Sequence, residues 1–165
     1  MNIDLPESDK LFILDLLNRF KQVDQIQYIN QGGCAIVAHA SYQFVMKHAP
    51  HLEPQIVYLL QSHRLSNIHN ISNRIPDSCA HAVLCLKGKY YFDSNGLIAS
   101  SLSELNLSIN WSYSIEAKHV DPDFCLTSIR TPTVSWNKNF SRRPALPTIK
   151  SIFESKQNYF YKHCA

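Results

Sequence analysis

The chain has no Cys-x-x-Cys pair, although five of its 165 residues are cysteines. Cys34, Cys79, Cys85, Cys125 and Cys164 are odd in number and irregular in spacing, which excludes a zinc ribbon and a thioredoxin-like redox motif. The eight histidines form no His-Glu-x-x-His motif. His48 and His51 stand three apart but straddle Pro50, which breaks the helix that would align them. No metal and no other cofactor is therefore expected. No phosphate-binding loop or RNA-binding aromatic signature occurs, and a net charge of +3 is too small to argue for nucleic acid. No apolar run reaches the roughly 20 residues that a membrane-spanning helix needs. Asp4, Glu7, Asp9 and Lys10 interrupt any secretory apolar segment at the start. With thiols that show no pairing pattern, these absences predict a reducing, cytoplasmic setting and no membrane partner. No repeat, low-complexity tract or linker divides the chain, so residues 1–165 are expected to form a single domain.

Hydrophobic spacing supplies the elements. Ser8 to Phe20 reads as an amphipathic helix, with Leu11, Leu14 and Leu17 at spacing three and Ile13, Leu16 and Phe20 widening the stripe. Gln31-Gly32-Gly33 is a breaker, and Cys34 to His48 reads as a second helix, apolar on both sides and so central and buried. Gln55 to Gln61 and Ala80 to Leu86 read as strands. Lys87-Gly88-Lys89 is a hairpin turn to a returning strand, Tyr90 to Asp93. Ser62 to Ser78 is a long polar loop expected to border the site, with Arg64, His69 and Arg74 available to an acidic substrate. Ser101 and Glu104 have the spacing of a capping box for a short helix. Ser112 to Val120 reads as a strand, Thr131 to Pro147 as irregular, and Thr148 to Tyr161 as a terminal helix. From Arg130 onward seven lysines and arginines face Glu154 alone. That segment suits an acidic partner or is simply a solvated face.

The chemistry sits at Cys34 and His81. A thiol attacks carbonyl carbon only as its thiolate, and a helix N-terminus favours the thiolate through its dipole and unpaired N–H groups. Cys34 stands where the second helix begins, directly behind two glycines. Its own N–H would supply half of an oxyanion hole, and Gln31 or Asn30 the other half. Alternation puts His81, Val83 and Cys85 on one strand face and Ala80, Ala82 and Leu84 on the other. A histidine on the face that meets the helix could reach Cys34. A turn centred on Gly88 sets Asn95 opposite His81, and a two-residue slip brings Asp93 there instead. Either side chain could accept from the imidazole and orient it.

Gly32-Gly33-Cys34-Ala35-Ile36-Val37-Ala38, His81-Ala82-Val83-Leu84 and Gly88-Lys89-Tyr90-Tyr91-Phe92-Asp93-Ser94-Asn95-Gly96 resemble the core of the papain-like cysteine peptidase and transglutaminase-like superfamily, in particular its small bacterial and phage members. The resemblance covers about Asn30 to Leu97. It implies an α+β fold with a papain-like core, the cysteine-bearing central helix packed on an antiparallel sheet. It implies Cys34 as nucleophile, His81 as general base and acid, Asp93 as the orienting residue and Gln31 as oxyanion donor. The chain departs from papain at two points: Tyr28 stands six residues before the cysteine in place of glutamine, and no tryptophan follows Cys34.

The expected function is a cysteine-dependent hydrolase that cleaves an amide or isopeptide bond in a protein or peptide substrate through a thioester. Two rivals keep the same fold. One is an acyltransferase that hands the thioester to an amine. The other is a non-catalytic binding protein that uses the basic C-terminal segment.

Overall fold

A computed structural model describes residues 5–27, 29, 33–61, 79–101, 103–105, 115–123, 125 and 142–155. The expected site loop Ser62 to Ser78, and Tyr28, Asn30, Gln31 and Gly32, lie outside the described residues. The architecture is α+β. Helices α1 (Glu7–Asp24), α2 (Cys34–His48) and α3 (Arg142–Glu154) pack on a five-stranded antiparallel sheet made of β1 (Gln55–Gln61), β2 (Cys79–Leu86), β3 (Tyr90–Asp93), β4 (Gly96–Ala99) and β5 (Ile115–Val120). The strand order is β4-β3-β2-β1-β5, so β2, the strand of His81, lies at the centre. Among the described residues no helix is long and apolar enough to cross a membrane.

The sheet has two clothed faces. Ile56, Tyr58, Leu60, Ala82, Leu84, Leu86, Tyr90 and Phe92 join the three helices in the main core. Val57, Leu59, Val83, Cys85, Tyr91, Ala99 and Leu105 form a smaller cluster on the other side. The strict period-two split of β1 and β2 between these clusters is what a sheet buried on both faces requires. The β2–β3 turn has Lys87 at φ +53° and Gly88 at φ +66°, and Lys89 N–H bonds the Leu86 carbonyl at 3.1 Å. Positive φ at both central positions matches the twist of a hairpin, and glycine takes one of them without strain. The pairing Leu84↔Phe92, Cys85↔Tyr91 and Leu86↔Tyr90 is the register centred on Gly88, with no slip.

The first turns of α2 are buried all round, from Ala35 to Ser41, and the last turn is exposed from Met46 to His48. Ser41 fits in this apolar surround because its hydroxyl bonds the Val37 carbonyl at 2.8 Å. On α1 the buried stripe is Phe12, Ile13, Leu16, Phe20 and Val23, while Leu14 is 50% exposed. The spacing-three series Leu11, Leu14, Leu17 is therefore not the core face. Steps of three fall short of the 3.6-residue turn and drift round the helix.

Helix α3 begins at Arg142, inside the segment read as irregular, and ends at Glu154. Pro144 falls in its first turn, where the missing N–H would have had no partner. Pro147 removes one intrahelical bond. Ala145, Ile149 and Phe153, four apart, bury the face that compensates. The Ser101–Glu104 pair caps a single turn at 103–105. Ser101 Oγ accepts from Glu104 N–H at 3.1 Å, but the Glu104 carboxylate reaches back to Ser100 N–H at 2.7 Å, one residue before the expected donor.

Arg19 locks the helices together. It is 3% exposed. Its Nε donates to Asp15 Oδ2 at 3.0 Å, Nη1 to the Ile152 and Phe153 carbonyls at 2.6 and 2.8 Å, and Nη2 to the Ser155 carbonyl at 3.1 Å. Its guanidinium carbon lies 4.3 Å from the Phe44 ring centroid. One α1 side chain thus satisfies the carbonyls that the end of α3 leaves unpaired, at the negative end of that helix, and covers an α2 aromatic. Replacing Arg19 with Met strips these carbonyls and leaves Asp15 buried alone. Urea unfolding should show a loss of about 3–5 kcal/mol, part of it regained in Arg19→Met/Asp15→Leu. A loss of about 1 kcal/mol or less, typical of an exposed pair, overturns this account.

Candidate active site

Cys34 is the first residue of α2, where the dipole argument wanted it. Gly33 precedes it as the N-cap and makes no side-chain cap; its carbonyl accepts from Ile36 and Val37 at 2.9 and 3.1 Å. The helix start is thus held by backbone alone, with no cap side chain set against the thiol.

The way His81 meets this helix differs from simple alternation. The residues of β2 that share the helix-packed core are Ala82, Leu84 and Leu86, while Val83 and Cys85 belong to the opposite cluster. Strict alternation would send His81 with Val83, away from α2. Two irregularities mark this end of the strand. Pairing with β1 runs in register through Leu59↔His81 and shifts only before Leu60↔Cys79, so Ala80 is an extra residue just beyond the histidine. Pairing with β3 stops at Leu84↔Phe92. Beyond that point the Ala82 backbone N–H donates to the Cys34 sulfur, and the imidazole of His81 hydrogen-bonds Cys34.

His81 Nε2 donates to Asp93 Oδ2 at 2.9 Å. The ring nitrogen left for Cys34 is Nδ1. Extending the register puts Asp93 opposite Val83, so it reaches His81 as a diagonal neighbour on the same strand face. No register slip is needed, and the choice between Asp93 and Asn95 is decided. Asp93 accepts from the imidazole, while Asn95 donates to Asp93, from its backbone N–H to Oδ1 at 2.7 Å and from Nδ2 to Oδ2 at 3.4 Å. That second layer was readable in principle: Asp-x-Asn is a turn in which an aspartate accepts from the backbone two residues on. The Ala82 N–H was not readable, because it depends on where a ladder ends.

The electrostatics follow from this arrangement. Burial works against a charged Cys34, but the hydrogen bond and positive charge of His81, with the N–H groups of Ala82 and Ala35, outweigh it and hold the thiol below its ordinary 9.0. Burial also works against a charged His81, yet hydrogen bonds to Asp93 and Cys34 and the charges of both lift it from 6.5 to about 10. The arrangement favours a thiolate–imidazolium pair backed by a carboxylate. The other two described thiols go the opposite way. Burial pushes Cys85 up to about 11 and Cys125 up to about 12, the latter also by the charge of Cys34. Cys125 lies beneath the start of α2, its sulfur 3.8 Å from the Ala35 carbonyl.

Such a constellation can deliver a nucleophilic sulfur and return a proton through the same imidazole.

No family model, no curated protein and no solved structure matches this chain.

Structure brings together Cys34, His81 and Asp93, while Gln31 lies outside the described residues. Among the described residues no three His, Cys, Asp or Glu side chains are grouped to hold a metal ion.

At pH 7, iodoacetamide should alkylate Cys34 well ahead of Cys85 and Cys125, read by peptide mass mapping. Equal labelling of the three would make Cys34 an ordinary thiol. The pH dependence of folding has a definite sign. A folded-state pKa above the unfolded value means that the stability contributed by His81 is complete below pH 6.5 and drains away as pH rises through about 10. Asp93→Asn should flatten this part of the curve in urea titrations taken from pH 6 to 10.

Proposed function

We propose that the chain is a cysteine-dependent hydrolase with a papain-like core, cleaving an amide or isopeptide bond of a protein or peptide through a thioester on Cys34. The single observation that carries this reading is the hydrogen-bonded series Cys34, His81, Asp93 at a helix start, with Cys34 the one lowered thiol among the three described cysteines that have resolved shifts. A structural cysteine has no use for an imidazolium and a carboxylate lined up behind it.

The steps follow from the charges. The Cys34 thiolate attacks the carbonyl carbon, and charge develops on the carbonyl oxygen. The Cys34 backbone N–H at the start of α2 is the proposed first oxyanion donor, and Gln31 or Asn30 the proposed side-chain donor. The imidazolium gives its Nδ1 proton to the leaving amine as the C–N bond breaks, which leaves the thioester and neutral His81. His81 then takes a proton from water, hydroxide attacks the thioester, and the thiolate departs as the acid forms. Asp93 keeps Nε2–H engaged, so that Nδ1 faces the sulfur throughout. A thiolate nucleophile needs reduced surroundings, and a cytoplasmic setting meets that need.

The test needs no known substrate. p-Nitrophenyl acetate should give a burst of nitrophenolate and an acetyl adduct on Cys34 by intact mass. Cys34→Ala should abolish both. Asp93→Ala should slow acylation by about 10²- to 10⁴-fold yet leave more than Cys34→Ala does, since Asp93 orients the base without reacting. Decay of the adduct faster with added amines than in water alone marks the acyltransferase rival. No adduct on correctly folded protein overturns the enzyme reading and leaves the binding protein.

A further inference from the structure

Among the described residues the Asp93 carboxylate has three donors, and two of them come from one residue. His81 Nε2 takes Oδ2 at 2.9 Å, the Asn95 backbone N–H takes Oδ1 at 2.7 Å, and Asn95 Nδ2 takes Oδ2 at 3.4 Å. Asp93 is 7% exposed and closes the turn between β3 and β4, where it pairs with Gly96. Gly96 has φ +102°, and a Cβ there would stand 3.1 Å from Leu17 Cδ2. A side chain at Gly96 would therefore crowd Leu17 of α1, which leaves the tight turn to glycine. A carboxylate gripped by only one oxygen can swing about its Cα–Cβ and Cβ–Cγ bonds. Gripped on both oxygens from within its own turn, it presents Oδ2 to the imidazole in a restricted orientation.

We infer that Asn95 is a positioning residue: it holds the Asp93 carboxylate face-on to His81 and so keeps the imidazole aligned on Cys34. This rests on the hydrolase reading above. The hydrogen bonds of Asn95 go to Asp93, and through that carboxylate it acts on the ring. Among the described residues the charged groups that act on His81 are Cys34 from α2 and Asp93 from β3. A change at Asn95 therefore reaches the pair through one carboxylate.

Two substitutions separate alignment from mere folding. Asn95→Ala keeps the backbone N–H and removes Nδ2. A less well placed imidazolium stabilises the thiolate less, and a less well placed carboxylate stabilises the imidazolium less. The thiolate should form at higher pH and His81 should lose its proton at lower pH, narrowing the ion-pair window from both ends. Iodoacetamide alkylation of Cys34 at pH 6 should fall about threefold to tenfold, the range expected for one modest hydrogen bond. Asn95→Asp keeps the shape and adds a negative charge beside Asp93. Both transitions should then move to higher pH, since added negative charge favours every protonated form.

The readouts are thiolate absorbance at 240 nm, taken as the difference from Cys34→Ser, and the NMR titration of the His81 ring, with the melting temperature alongside. A narrowed window in Asn95→Ala with an upward shift of both transitions in Asn95→Asp supports the inference. A lower melting temperature with both transitions unmoved gives Asn95 a structural role only and overturns it. If the wild-type protein has no early-ionising thiolate that Cys34→Ser removes, the hydrolase reading falls and the inference falls with it.

Discussion

A positive charge on a buried imidazole has to be answered on two sides. His81 is 9% exposed, and taking an imidazolium out of water is unfavourable unless its N–H groups and its charge both find partners. One partner comes from the start of α2 and the other from the end of β3. Neither segment could be moved without leaving a charge uncompensated. This couples the position of a helix to the ends of two strands. The β2–β3 ladder stops at Leu84↔Phe92, short of the level of His81.

The second buried cation obeys the same physics on the other side of the helical layer. Arg19 is answered by Asp15 on its own helix and by the carbonyl groups that α3 leaves open at its end. The surrounding rings are close: Phe44 stacks on Phe12 with centroids at 5.4 Å, and Phe20 meets Phe153 edge-on at 5.6 Å. Fixing α3 against α1 and α2 in this way steadies α2 along its length. A nucleophile carried on the first residue of a helix is only as well placed as the helix itself. The guanidinium thus belongs to the support of the site, although it lies far along α2 from Cys34.

The sequence reading went wrong where it used one signal at a time. On α1 the expected stripe holds at Ile13, Leu16 and Phe20, while Leu14 of the spacing-three series is exposed and Phe12 and Val23 complete the buried face, because only steps averaging 3.6 stay in line. The segment Thr131 to Pro147 reads as irregular, yet α3 runs through Pro144 and Pro147, since a first-turn proline forfeits nothing and tertiary burial of Ala145, Ile149 and Phe153 outweighs the one bond lost at Pro147. Where several signals agreed, the boundaries held. A glycine breaker, an apolar run and a following proline bounded α2 at Cys34 and His48, and β-branched and aromatic enrichment bounded β1 at Gln55 and Gln61.

Local chemistry written in the chain determined the helix that starts at Cys34, the hairpin at Gly88 with its register, and the α+β class, because each depends on residues close together in sequence. It also singled out Cys34, His81 and the Asp93–Asn95 pair as the groups worth watching. Only the tertiary structure decided that Asp93 accepts from the imidazole while Asn95 braces Asp93, and that His81 reaches the thiol at all. The reason is that the β2–β3 ladder stops at Leu84↔Phe92. Beside the strand end that this leaves open, the partners of His81 arrive from elsewhere in the chain, and their arrival is not written in any one segment.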